Sequence, residues 1–173
     1  MNTSFYDPAQ FAWTNILKSH YPEIKQEWES SPVHLRLARA EYHYGKTLEK
    51  NNSKWDLLML MNRDKVQEHL RVFFPVTMSL IDKLPIFENL SFSVFYPRSE
   101  TIPHKGWSTK ILRVHLAIDT NSDAALCCGD RCVSLKNGEI LIFEDGKEHY
   151  AYNRSHKERT VLLFDVLKSD LDL

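Results

Sequence analysis

The sequence predicts a mainly β protein, with a barrel or double-sheet jelly-roll core and a helix-rich N-terminal part packed against it. Three observations carry that expectation. All seven prolines lie at or before Pro103, while Gly106, Gly129, Gly138 and Gly146, four of the five glycines, lie after it. From Ser91 the apolar pattern has period two, as strands require. Short turn motifs then recur: CGD at 128–130, KNG at 136–138 and EDG at 144–146. A chain of 173 residues suits one core. The expected organisation is a single domain, 1–173, with a buttress over 1–90 and the jelly-roll core over 91–167.

In chain order, Asp7, Pro8 and Gln10 form a helix start with capping-box spacing. Trp13, Leu17, Tyr21, Ile24 and Trp28 then fall on one helical face, which is expected to pack on the core, and Pro22 splits the segment in two. Residues 33–48 fit neither period, and Gly45 marks a turn. WDLLMLMN, from Trp55, is compatible with a strand or a short buried helix. Phe73 to Leu84 reads as a helix ended by Pro85. Strands are expected near 91–96, 111–118, 124–128, 131–135, 139–143, 148–153 and 159–167.

Composition narrows the partners. With 22 basic and 23 acidic residues the net charge is −1, so neither nucleic acid nor an anionic membrane is expected as the main partner. MNTSFYDPAQFAW has no basic and apolar signal segments, and no apolar run approaches the ~20 residues of a membrane span. Cys127, Cys128 and Cys132 form an odd, tight cluster that lacks a zinc-ligand set. They read as reduced thiols beside a turn, in a cytoplasmic protein.

Alternation puts Ser93 with Phe95 on one face, Arg113 with His115, His149 with Ala151, and Arg159 with Val161, Leu163 and Asp165. Were these faces to point inward, the core would hold Ser93, Arg113, His115, His149 and Arg159. His104 stands at the edge of another β-like run. Buried arginines are costly without an anion, and imidazoles suit a metal, so this set points to a bound dicarboxylate beside a metal. The bland alternative makes the arginines solvent-facing; His20, His34, His43, His69 and His156 read as surface or hydrogen-bonded residues.

Four segments, FSVFYPRSETIPHKG, LRVHLAI, GEILIFEDGKEHYAYN and RTVLLFDV, resemble the aspartyl/asparaginyl β-hydroxylase family. The likeness runs from about Trp55 to Val166. Its spacings match as well: Ser93 lies eleven residues before His104, Arg113 nine after it, and Arg159 ten after His149. The resemblance implies a double-stranded β-helix and an iron(II)- and 2-oxoglutarate-dependent dioxygenase that uses O2. It implies His104 and His149 as iron ligands and Arg159 as the catalytic-site anchor for the distal carboxylate of 2-oxoglutarate, with Ser93 beside it. Arg113 and His115 match residues near the carboxylate next to the keto group. The substrate implied is an Asp- or Asn-like side chain in a peptide or a free amino acid. Gly106 stands where most such oxygenases carry a third, carboxylate ligand, so a water or a second-shell acid, or chloride in a halogenase, has to be weighed there. Lys105 and Trp107 depart from the pattern. The rival classes are a non-enzymatic cupin-like metabolite-binding module and an interaction protein that kept the fold.

Overall fold

A computed structural model describes residues 4–32 and 37–171. The strands are β1 (Phe5–Tyr6), β2 (Ala38–Arg39), β3 (Trp55–Asn62), β4 (Lys65–Val66), β5 (Phe87–Phe95), β6 (Ser99–Glu100), β7 (Ile111–Asp119), β8 (Ala124–Cys128), β9 (Arg131–Val133), β10 (Ile140–Glu144), β11 (His149–Asn153) and β12 (Arg159–Leu167). The helices are α1 (Trp13–Ser19), α2 (Tyr21–Ser30), α3 (Ala40–Tyr44) and α4 (Pro75–Ser79).

The eight strands from β5 onward divide between two antiparallel sheets. The large sheet runs β1-β10-β7-β12-β5-β3-β2, with β4 hairpinned to β3; the small one runs β6-β11-β8-β9. From β5 to β12 the chain thus crosses from sheet to sheet at every step but the β8–β9 hairpin, which is the double-stranded β-helix form of the jelly roll. The expected fold class is the observed one.

Alternation explains how the large sheet is buried on both faces. Leu112, Val114 and Leu116 of β7 and Leu162, Phe164 and Val166 of β12 point one way, into an apolar layer shared with Leu17 and Ile24 of the first two helices. There Trp28 stacks on Phe92 with ring centroids 4.6 Å apart. The intervening residues, Arg113, His115, Val161 and Leu163, face the small sheet. Polar residues such as Arg113 and His115 are therefore admitted to the interior without breaking the helix-facing layer.

The N-terminal elements follow their sequence signals. The Asp7 side chain accepts from Ala9 N at 2.9 Å and caps a short 3-10 turn, and Pro22 sits in the first turn of α2. The WDLLMLM segment is strand β3, which pairs with β5 and so joins the large sheet. The expected division at residue 91 falls inside β5. The single helix expected over Phe73–Leu84 is shorter. Glu27 of α2 accepts from the N–H groups of Val76 and Thr77 and fixes the start of α4, and the last turn, Leu80–Asp82, tightens to 3-10. Residues 33–36, including His34, lie outside the described residues.

The cysteine reading needs correction. Cys127 and Cys132 are directly opposed in the β8–β9 hairpin, with Cα atoms 3.9 Å apart, and form a disulfide; Cys128 alone is a buried thiol. Antiparallel pairing brings together two side chains that a linear reading treats as neighbours in a turn. The thiols therefore lend no support to a reducing compartment. Among the described residues, no helix is long and apolar enough to cross a membrane.

Candidate functional site

His104 lies in the loop between β6 and β7, and His149 opens β11. The two are 45 residues apart in sequence, yet they oppose each other in an isolated antiparallel bridge: His104 N donates to His149 O at 3.0 Å, and His149 N to His104 O at 2.8 Å. Their rings lie 4.5 Å apart, centroid to centroid. Each Nδ1 lies on a carbonyl oxygen two residues earlier, His104 on Ile102 at 2.7 Å and His149 on Lys147 at 2.8 Å. A carbonyl only accepts, so each Nδ1 carries the proton and each Nε2 presents a lone pair. Burial lowers the pKa of both imidazoles, that of His149 to about 3. Both are therefore neutral at physiological pH. Neutral rings with a fixed tautomer and free Nε2 atoms are what a divalent metal requires.

Arg159 enters the same pocket from the first position of β12. Its side chain is buried, it has no hydrogen-bond or ion-pair partner among the described residues, and desolvation lowers its pKa to about 10. Ser93 lines this pocket, and its hydroxyl oxygen accepts from Trp55 Nε1 at 2.8 Å, which leaves the O–H free to donate. His115 packs edge-on against Phe143, and both its ring nitrogens are buried without partners. An unpaired guanidinium, a free hydroxyl and an unsatisfied imidazole line one pocket with the histidine pair. That donor set is complementary to carboxylate oxygens in charge and hydrogen bonding, in a pocket of about 30 Å³.

Arg113 differs from Arg159. Its Nε lies 2.9 Å from Asp165 Oδ1, its register partner across β7–β12, and its Nη1 lies 2.9 Å from Asp145 Oδ1. The expected grouping of two arginines around one ligand gives way to one open arginine and one held between two buried carboxylates.

Gly106 and Asp145 explain each other. A Cβ built on Gly106 would lie 1.7 Å from Asp145 Oδ2, so the Asp145 carboxylate fills the space of a side chain at 106. Gly106 N also donates to Asp145 O at 2.8 Å, and Asp145 Oδ1 lies 4.0 Å from His149 Nε2. Burial raises the Asp145 pKa, against the pull of Arg113. A carboxylate carried by the turn between β10 and β11 thus occupies the space beside Gly106. Among the described residues, no three His, Cys, Asp or Glu side chains converge as a metal cluster. Asp145, Trp55 and Tyr44 escaped the sequence reading. EDG read as a turn, and nothing in it signals that its aspartate points inward; Asp165 was legible, on the Arg159 face.

Fold and site together define a jelly roll with a two-imidazole centre backed by an unpaired arginine. Residues 18–169 match the family model described as aspartyl/asparaginyl beta-hydroxylase, and the chain belongs to that family. It is 29% identical to an ornithine lipid ester-linked acyl 2-hydroxylase of Rhizobium tropici, aligned over 96% of this chain and 61% of that protein. It is 23% identical to the human aspartyl/asparaginyl beta-hydroxylase, over 96% of this chain and 23% of that protein. The chain thus spans less than two thirds of these relatives. A Thermotoga maritima structure described as a predicted oxalate decarboxylase shares the fold at 13% identity and a TM-score of 0.50, covering 77% of this chain and 93% of that one.

Proposed function

We propose that this protein is an iron(II)- and 2-oxoglutarate-dependent dioxygenase that hydroxylates an unactivated carbon of a small-molecule or peptide substrate. The observation that carries this reading is Arg159, a buried cation without a partner in the same pocket as two imidazoles with free Nε2 atoms. A cupin-like binding module has no need of that combination.

His104 and His149 would hold the iron. Arg159 would clamp the distal carboxylate of 2-oxoglutarate through two parallel N–H bonds, with Ser93 O–H beside it. His115 faces the same space and would meet the other end of the co-substrate. Iron(II) with 2-oxoglutarate and O2 supplies the oxidising power; the protein supplies position, dryness and charge. Arg113, tied to Asp165, holds Asp145 against Gly106, and Asp145 places an acceptor on the Nε2 side of His149. The apolar walls, Trp55, Phe95 and Phe143 among them, exclude water.

The two relatives' names share a chemistry. The β-carbon of aspartate and carbon 2 of an ester-linked acyl chain each lie next to a carbonyl. A carbon next to a carbonyl, on an Asp- or Asn-like or other amino-acid-type substrate, is the target this reading favours. Anaerobic addition of iron(II) and 2-oxoglutarate tests it. A visible metal-to-ligand charge-transfer band is expected, and folded, metal-loaded protein without that band would favour the binding module. A screen of amino acids, peptides and acylated amino acids for succinate release then finds the substrate.

A further inference from the structure

A second cavity, of about 230 Å³, opens against His104 and does not include Arg159; besides Arg113, which is held by Asp165 and Asp145, it is lined by Tyr44, Lys46, Leu48, Lys105 and Trp107. Two of these residues are cations in a chain of net charge −1. Neither Lys46 nor Lys105 has an ion-pair partner among the described residues, whereas nearby acids are engaged elsewhere: Glu41 by Thr47, Glu49 by Arg39, and Asp145 by Arg113. Gly45, at φ +67 in the left-handed region, ends α3 and turns the chain so that Lys46 reaches this mouth. Trp107 is 54% exposed, and one face of its indole stacks on Phe87 with ring centroids 6.1 Å apart. The cavity thus has a cationic rim and apolar walls.

We propose that this cavity is the substrate site, that it takes a carboxylate carried on an apolar chain, and that Lys46 and Lys105 determine that specificity. The proposal rests on the reading of His104 as an iron ligand, because it places the substrate's carboxylate, and the carbon next to it, beside that residue. Ammonium groups on flexible stems suit a single anionic head that must be held and released. Trp107, Leu48 and Tyr44 cover the chain behind it, which charge alone does not select.

The test needs no iron. Octanoate and its neutral isostere octanamide are titrated into the full chain with tryptophan fluorescence as readout, and Trp107→Phe assigns the signal to the exposed indole. Octanoate is expected to bind at least tenfold more tightly than octanamide. Lys46→Gln/Lys105→Gln should erase that preference, and Arg159→Gln should keep it. Both lysines are exposed, so the double variant is expected to fold. Equal binding of the two probes, binding of neither, or a preference that survives the lysine variant and vanishes in Arg159→Gln would overturn the proposal. The last outcome would show the carboxylate going to the co-substrate site, which leaves the oxygenase reading standing. A missing charge-transfer band with an intact lysine-dependent preference would do the reverse.

Discussion

Gly106→Ala is a small change with a large expected effect. The added methyl would sit 1.7 Å from Asp145 Oδ2, where real Cβ contacts stay beyond 3.0 Å, so more than an ångström of displacement is forced. Asp145 cannot yield cheaply. It is fully buried, bound to Arg113, and carried on a turn whose Gly146 packs so closely on Thr109 that a Cβ there would lie 2.8 Å from the Thr109 Cα. Overpacking of this kind costs about 1–3 kcal/mol. For a domain of this size that is a fall in Tm of roughly 2–12 °C. Asp145→Gly alone removes one of the two carboxylates on Arg113 and is also expected to destabilise. In the double variant the methyl enters the space the carboxylate leaves, so the loss should be smaller than the sum of the two by about 1 kcal/mol or more. Thermal melts of the four proteins measure this without a substrate. Additive effects, within about 0.5 kcal/mol, would refute the idea that the Asp145 carboxylate stands in for a side chain at 106.

Arg159→Ala should weaken 2-oxoglutarate binding by about 2–5 kcal/mol in a folded protein, read by calorimetry; unchanged affinity would remove the anchor role. His104→Ala and His149→Ala should each abolish turnover and lower iron affinity, as two imidazoles leave little redundancy. Stability should fall with acid. His149 has a folded pKa of about 3, below the 6.5 of the unfolded chain, so its contribution is complete above about pH 6.5 and is lost as pH drops toward 3, with His104 and His115 acting in the same sense. Urea midpoints against pH would show the slope, and a flat profile over that window would contradict the burial of neutral rings. Cys127→Ser/Cys132→Ser should lose about 2 kcal/mol of stability, as for a short closed loop, and keep turnover. Replacing Cys128 with serine as well should also keep turnover, and iron lost from that folded triple variant would point instead to a thiolate site. Once a substrate is known, product mass should show an added oxygen with or without chloride, since Asp145 already fills the space above Gly106; a chlorinated product would mean a halogenase.

By itself the sequence determined a mainly β core, a barrel or a double-sheet jelly roll, because period-two alternation and turn chemistry are local properties that the strands from Ser91 onward carry in full; the double-stranded β-helix came with the family resemblance. Alternation along a strand fixes which residues share a face, and so it grouped Ser93, Arg113, His115, His149 and Arg159 on the candidate interior faces; His104 came from its place at the edge of a β-like run and from the family resemblance. The sequence left β3 undecided, because a short apolar run buried on both faces has no period to read. Only the tertiary structure decided what meets across strands. The Cys127–Cys132 bond depends on hairpin register. The division of labour between Arg113, held by Asp165 and Asp145, and Arg159, left open, depends on which carboxylates neighbouring strands and turns bring within reach. Asp145 filling the space above Gly106 joins residues 39 apart in sequence, a proximity made by the packing of two loops at the mouth of the barrel.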